Sequence, residues 1–176
     1  MTPARALLPH RDSPSGGVRS LTVEAAREAG ALALRYVLDG RLSELVIPPR
    51  TPPARADELW KHTCFEAFVR APGGEAYWEF NLAPSTQWAA YGFSRYRQRG
   101  PDPKTAPPAI QLKTAPRLEL STRLDLSQLK GPWQVALTAV VENRDGSRSY
   151  WSLRHPPGGG PDFHHSAGFV LELPVP

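Results

Sequence analysis

A two-sheet antiparallel β-sandwich is the fold class this sequence predicts. Short runs of alternating apolar and polar residues recur along nearly the whole chain, glycine and proline punctuate them, and no long stretch keeps a helical period. The 20 prolines suit loops and sheet edges, since proline inside a central strand removes a ladder hydrogen bond. With 176 residues, the chain is long enough to bury one substantial core.

Residues 1–17 hold Pro3, Pro9, Pro14, Gly16 and Gly17, with only Leu7 and Leu8 as an apolar pair. They are expected to form a flexible leader ahead of a single domain spanning 18–176. Residues 18–23 are expected to open a sheet. The alanine-rich stretch 22–33 tempts a helix, but Gly30 and the continuing alternation favour strand, loop, strand. In 31–38, Leu32, Leu34, Tyr36 and Leu38 share one side. Asp39-Gly40 is a hairpin signal, and 42–47 is expected to return from it. A proline-rich loop follows over 48–56. Strands are expected at 64–69 and 77–82, joined by a hairpin loop over 70–76. Residues 83–108 read as irregular, with Trp88, Tyr91, Phe93 and Tyr96 embedded in them. Further strands are expected at 110–114 and 117–126, and 133–142 is the strongest core strand. Asp145-Gly146 turns the chain towards 148–155, and 169–173 closes a set of about nine to ten strands.

The most informative feature is a pair of glutamates. In 64–69, Phe65, Ala67 and Val69 form an apolar face, leaving Cys64, Glu66 and Phe68 on the other. In 77–82, Trp78, Phe80 and Leu82 form the apolar face, opposed by Tyr77, Glu79 and Asn81. Any register that joins the apolar faces sets Glu66 directly or diagonally opposite Glu79. Like charges so placed destabilise a sheet, so an arginine, a shared proton or a ligand rich in hydroxyl donors is expected to compensate. A solvated face that tolerates the charge is the plainer alternative. Arg95 and Arg97 are candidates for the neutralising role, although Arg97 and Arg99 read more simply as a solvated loop face. Trp60, in a loop between charged residues, either stacks on the apolar face of a pyranose or packs over the sandwich end. Trp78, Trp133 and Trp151 are assigned to the core by alternation.

Lysine and arginine number 21 against 17 aspartates and glutamates, a net charge of +4. The excess is scattered arginine, with no basic helix and no basic–aromatic strand face, so no nucleic-acid partner is expected. One cysteine, Cys64, permits neither an internal disulfide nor a cysteine-based zinc site. No apolar stretch suits a secretory signal or a bilayer span, so a cytoplasmic protein with no membrane partner is expected. His155, His164 and His165 lie near Asp162 in sequence. Metal chemistry is conceivable there, but loop histidines are more often hydrogen-bonding groups, and neither metal nor cofactor is expected.

The segments Leu59-Trp60-Lys61-His62-Thr63-Cys64-Phe65-Glu66-Ala67-Phe68, Tyr77-Trp78-Glu79-Phe80-Asn81, 85–91 (Ser-Thr-Gln-Trp-Ala-Ala-Tyr) and Pro161-Asp162-Phe163-His164-His165, with Phe169, carry a resemblance. From residue 31 onward the chain resembles a bacterial DOMON-like domain protein, a group similar to the family 9 carbohydrate-binding modules. The resemblance implies a jelly-roll or immunoglobulin-like sandwich that binds a small ligand, sugar or haem in the wider superfamily. In the sugar-binding modules a tryptophan stands six residues before a strand glutamate, and both line the pocket; Trp60 and Glu66 have that spacing. A second aromatic near the C-terminus faces the first, and Phe163 stands here where those modules carry tryptophan. Polar residues of the next strand, here Glu79 and Asn81, bind hydroxyls.

The expected function is therefore binding of a small molecule, a carbohydrate or sugar-like metabolite. Trp60 and Phe163 would be its walls, Glu66, Glu79 and Asn81 its hydrogen-bonding groups, and Arg95, Asp162 and His164 its rim. Two rivals accompany this reading. Haem in the cytochrome members is held by methionine and histidine; here Met1 is the only methionine, so His62 or His164 would need a histidine or lysine partner. An enzyme would use Glu66 and Glu79 as an acid/base pair flanking a glycosidic bond. No Ser/His/Asp order, phosphate loop or dinucleotide fingerprint stands out, so binding is expected over catalysis.

Overall fold

The computed structural model describes residues 3–14 and 16–175. Among them, alternation becomes thirteen strands, with 3-10 turns at Leu42–Glu44, Leu59–Lys61 and Ser166–Gly168. Two antiparallel sheets pack face to face as a β-sandwich. The five-stranded sheet runs β1 (Arg5–Ala6), β3 (Val18–Glu28), β4 (Ala31–Gly40), β10 (Leu118–Asp125) and β9 (Gln111–Lys113). The larger sheet runs β2 (Leu8–Pro9), β12 (Arg148–Ser152), β11 (Trp133–Glu142), β5 (Cys64–Arg70), β6 (Tyr77–Leu82), β7 (Trp88–Arg95) and β8 (Gln98–Arg99). Its eighth strand, β13 (Leu171–Leu173), pairs with β11. Among the described residues no helix is long and apolar enough to cross a membrane.

One apolar cluster fills the space between the sheets. Leu21, Leu34, Leu38 and Leu120 of the smaller sheet meet Phe65, Phe80, Trp133 and Leu137 of the larger, and each is buried. Burying side chains of this size stabilises the fold by about 1.5–3 kcal/mol apiece. Tyr36 crosses the core and donates its hydroxyl to the Glu66 carbonyl at 2.7 Å, which satisfies a polar group that would otherwise be stranded. Trp133 and Trp151 belong to this cluster and Trp78 packs against it.

Three expectations meet a different structure. Met1, Thr2 and Ser15 of the expected leader lie outside the described residues. Within the rest, β1 pairs with β3 and β2 with β12, and Leu7 between them is 2 % exposed in the core. Of the Leu7–Leu8 pair only Leu7 is buried, and it sits between the two short edge strands, one on each sheet. The Asp39-Gly40 hairpin does not form either. Both edges of β4 are already taken, by β3 through the turn at Ala29-Gly30 and by β10, so 42–44 makes a 3-10 turn and Leu45 only a bridge to Asn143. Gly40 is instead a crossing point, where a Cβ would run into the Gly17 carbonyl. Finally, 83–108 contains β7 and β8. Ala89, Ala90 and Gly92 dilute the alternation there, yet Trp88 and Ala90 face the core while Tyr91 and Phe93 face out.

Candidate functional site

The site lies on the outer face of the larger sheet, directed away from the core. Register builds it. Thr138, Glu66, Asn81 and Ala89 stand in one cross-strand row, and Ala136, Phe68, Glu79 and Tyr91 in the next. Glu66 and Glu79 are therefore diagonal neighbours on one face. Loops arch over them and leave a recess of about 750 Å³ lined by both glutamates, with Trp60, Phe68, Tyr91, Phe93, Tyr150 and Phe163 supplying aromatic surface. Trp60 comes from the 3-10 turn before β5, and Phe163 and His164 from the chain between β12 and β13.

The carboxyls sit at the bottom, Glu66 2 % and Glu79 6 % exposed. Glu66 Oε2 accepts from Thr138 Oγ1 at 3.1 Å, and Glu79 Oε1 accepts from Asn81 Nδ2 at 2.6 Å. Burial, followed by the charge of Glu79, pushes Glu66 well above the usual carboxylate range, and the Thr138 hydroxyl opposes this only in part. Burial raises Glu79 as well, against the Asn81 hydrogen bond and the more distant Arg99 and Arg97. The pair thus holds a proton more readily than either group would in water.

His164 closes the recess from above. The Arg97 amide donates to Tyr77 Oη at 3.1 Å, so the tyrosine proton is free to go to His164 Nδ1 at 2.8 Å. With the tyrosine as donor, the imidazole proton lies on Nε2, which faces Glu79 Oε2 at 3.7 Å. Burial, then the nearby Arg97, pushes His164 down to about 4, so it is neutral near pH 7. Phe68 and Phe93 hold the ring edge-on at centroid distances of 5.2 and 5.0 Å.

Three arginines line the recess, and each is bound to an aspartate. Arg97 donates to Asp162 at 3.0 Å, Arg99 to Asp102 at 2.6 Å, and Arg55 to Asp57 and Asp102 at 3.2 and 3.3 Å. Arg99 also lies over the rings of Tyr91 and Phe93, at 4.7 and 5.3 Å.

Of the residues expected at the site, Trp60, Glu66, Glu79, Phe163 and His164 line the recess. Asn81 does not reach it. It is fully buried behind the carboxyls, its amide bound to Glu79 and its Oδ1 facing Cys64 Sγ at 3.4 Å. Asp162 stands behind the rim, accepting from Tyr96 Oη, Arg97 and the His164 amide. Arg95 points elsewhere and bonds Gln98. Alternation would have aimed it at the recess, but the β7–β8 pairing shifts register between Phe93 and Arg95 and hands that position to Arg97 and Arg99. Those two, expected as a solvated loop face, are wall residues. Tyr91, Phe93 and Thr138 were missed, although outward alternation along β7 and β11 would have found them. Arg55 left no local signal. The other histidines are engaged separately: His62 with Glu142, His155 with the Leu8 carbonyl, and His165 accepting from the Ala167 amide. No group of three or more His, Cys, Asp or Glu side chains capable of holding a metal gathers among the described residues.

No protein-family model matches the chain, and a comparison with curated proteins finds no match. Solved structures do resemble it. A candidate carbohydrate-binding protein of Bacteroides uniformis ATCC 8492 superposes with a TM-score of 0.71 at 15% identity, covering 97% of this chain and 85% of the other. A family 9 carbohydrate-binding module of Caldicellulosiruptor kristjanssonii, solved with cellotriose, superposes with a TM-score of 0.60 at 9% identity, covering 97% and 80%. At such identities the likeness is one of fold.

Proposed function

We propose that the recess binds a carbohydrate or sugar-like small molecule, in a sandwich of the DOMON-like and family 9 module kind. The observation that carries this reading is the diagonal pair of buried carboxyls opening into a recess walled by aromatic rings. A sugar ring has an apolar C–H face and an edge of hydroxyls. Trp60, 46 % exposed at the rim, and Phe163 suit the first; Glu66, Glu79 and the ring Nε2–H of His164 suit the second. The volume falls within the range of small-molecule sites. The two structural relatives add support, since one was solved with a cello-oligosaccharide and the other is a candidate carbohydrate binder.

The test is a glycan array followed by calorimetry on the strongest hit. Trp60→Ala and Glu79→Gln are each expected to weaken binding tenfold or more, with the circular dichroism of the fold unchanged. Undiminished affinity in both variants would overturn the proposal. Release of new reducing ends from the hit would move the reading to glycoside hydrolysis.

A further inference from the structure

The charge balance of the recess is uneven between floor and rim. At the rim, Arg55, Arg97 and Arg99 are matched by Asp57, Asp102 and Asp162, each arginine within 3.3 Å of an aspartate oxygen, and the wall residue Glu58 is matched by Lys61 at 2.7 Å. At the floor, neither Glu66 nor Glu79 has a lysine or arginine within ion-pair distance among the described residues; only the neutral His164 approaches, at 3.7 Å from Glu79. The Glu66 carboxyl, 2 % exposed, accepts one hydrogen bond, from Thr138. The walls are aromatic, and a ring face attracts a cation within about 6 Å. Arg99 already uses two of these faces, Tyr91 and Phe93, in that way.

We propose that the sugar this recess takes carries a protonated amine, an amino sugar, with its ammonium seated against Glu66 and Glu79. The inference rests on the sugar-binding reading and names the sugar class. An ammonium supplies the positive charge that the floor lacks and lets both carboxyls ionise, whereas a neutral hydroxyl supplies only a dipole. An acidic sugar would meet two carboxyls at the floor and arginines already engaged by aspartates at the rim. The raised affinity of the pair for protons is what an acidic floor without its cation should show. The amine would therefore displace a proton from the pair. Of the other groups facing the carboxyls, burial raises Cys64 and Tyr91, His164 is held down to about 4, and Tyr96 and Asp162 raise Arg97 against its burial, so none of these titrates near pH 6.

Calorimetry at pH 6, where the sugar amine is charged, compares three ligands of equal length: glucosamine oligomers, their N-acetylated forms and cello-oligosaccharides. The glucosamine oligomer is expected to bind at least tenfold tighter than either neutral partner. Measured in two buffers of different ionisation enthalpy, its binding should release protons, while the neutral ligands release none. Glu66→Gln and Glu79→Gln, which keep side-chain shape, should each bring the amine-to-neutral ratio close to one. Equal or tighter binding of the neutral forms would overturn this inference and leave the sugar-binding reading standing. Failure of all three classes to bind would overturn both.

Discussion

Replacing Glu66 by glutamine isolates the cost of burying the carboxylate pair. The glutamine side chain keeps the shape and can still accept from Thr138 through its amide oxygen. In the folded wild type, the proton on Glu66 is held more tightly than in the unfolded chain, because burial and Glu79 both disfavour the charged form. The folded state then binds more protons than the unfolded state wherever pH exceeds the unfolded value. Stability from this group is present in full below about pH 4.3 and is lost as pH rises towards the folded value. The slope is at most about 1.4 kcal/mol per pH unit for one proton, so between pH 5.5 and 7.5 the loss reaches at most about 2.7 kcal/mol. Urea unfolding of wild type and Glu66→Gln across that range gives the difference directly. Carboxylates held low elsewhere, such as Glu119 by Arg117 and Arg35 and Asp125 by Ser127, are common to both proteins and cancel. The variant is expected to gain on the wild type steadily with pH, at unchanged m-value. A difference that stays flat, or that favours the wild type as pH rises, would refute the placement of Glu66 in a buried, like-charged pair.

Other outcomes follow from the same geometry. Trp60→Ala should leave stability within about 0.5 kcal/mol of wild type, because the ring is 46 % exposed, so any loss of binding belongs to the recess; a large stability loss would place the ring in the core. His164 should titrate near 4 instead of 6.5 and carry its proton on Nε2, both readable by nitrogen-15 NMR of the imidazole; a midpoint near 6.5 would contradict its burial. Leu7→Ala should cost about 2–5 kcal/mol as a core truncation, where a dispensable leader would lose almost nothing. Gly92→Ala drives a Cβ into the Pro101 carbonyl and disturbs the Asp102 contact of the Gly92 amide; it should cost about 1–3 kcal/mol and weaken binding, measured by unfolding and calorimetry together.

Alternation carried most of the fold. It is strongest where every second residue is apolar, as in β11, and there the expected and observed bounds of Trp133–Glu142 coincide. It faded in β7, where alanine and glycine occupy both faces and only cross-strand pairing with β6 makes a strand. It misled at Asp39-Gly40, because a turn dipeptide says nothing about whether the neighbouring sheet edge is free. The N-terminal edge strands of two residues each were invisible for a related reason: their register is set by partners more than 10 residues away. At the site, parity placed Glu66 and Glu79 on one face, since a one-residue slip would have sent their apolar neighbours into water. Which arginines reach the recess was not legible, because that depends on a register shift at the β7–β8 turn and on loops whose path no local pattern fixes.

The central claim is that ligand binds on the outer face of the larger sheet, above the two carboxyls. Nitrogen-15 chemical-shift mapping during titration with the best-binding sugar tests it residue by residue. The account predicts shifts concentrated at 57–62, at Glu66, Phe68, Glu79 and Tyr91, and at 161–165, with the five-stranded sheet unmoved. Shifts centred on β3, β4 and β10, or scattered evenly over both sheets, would contradict it.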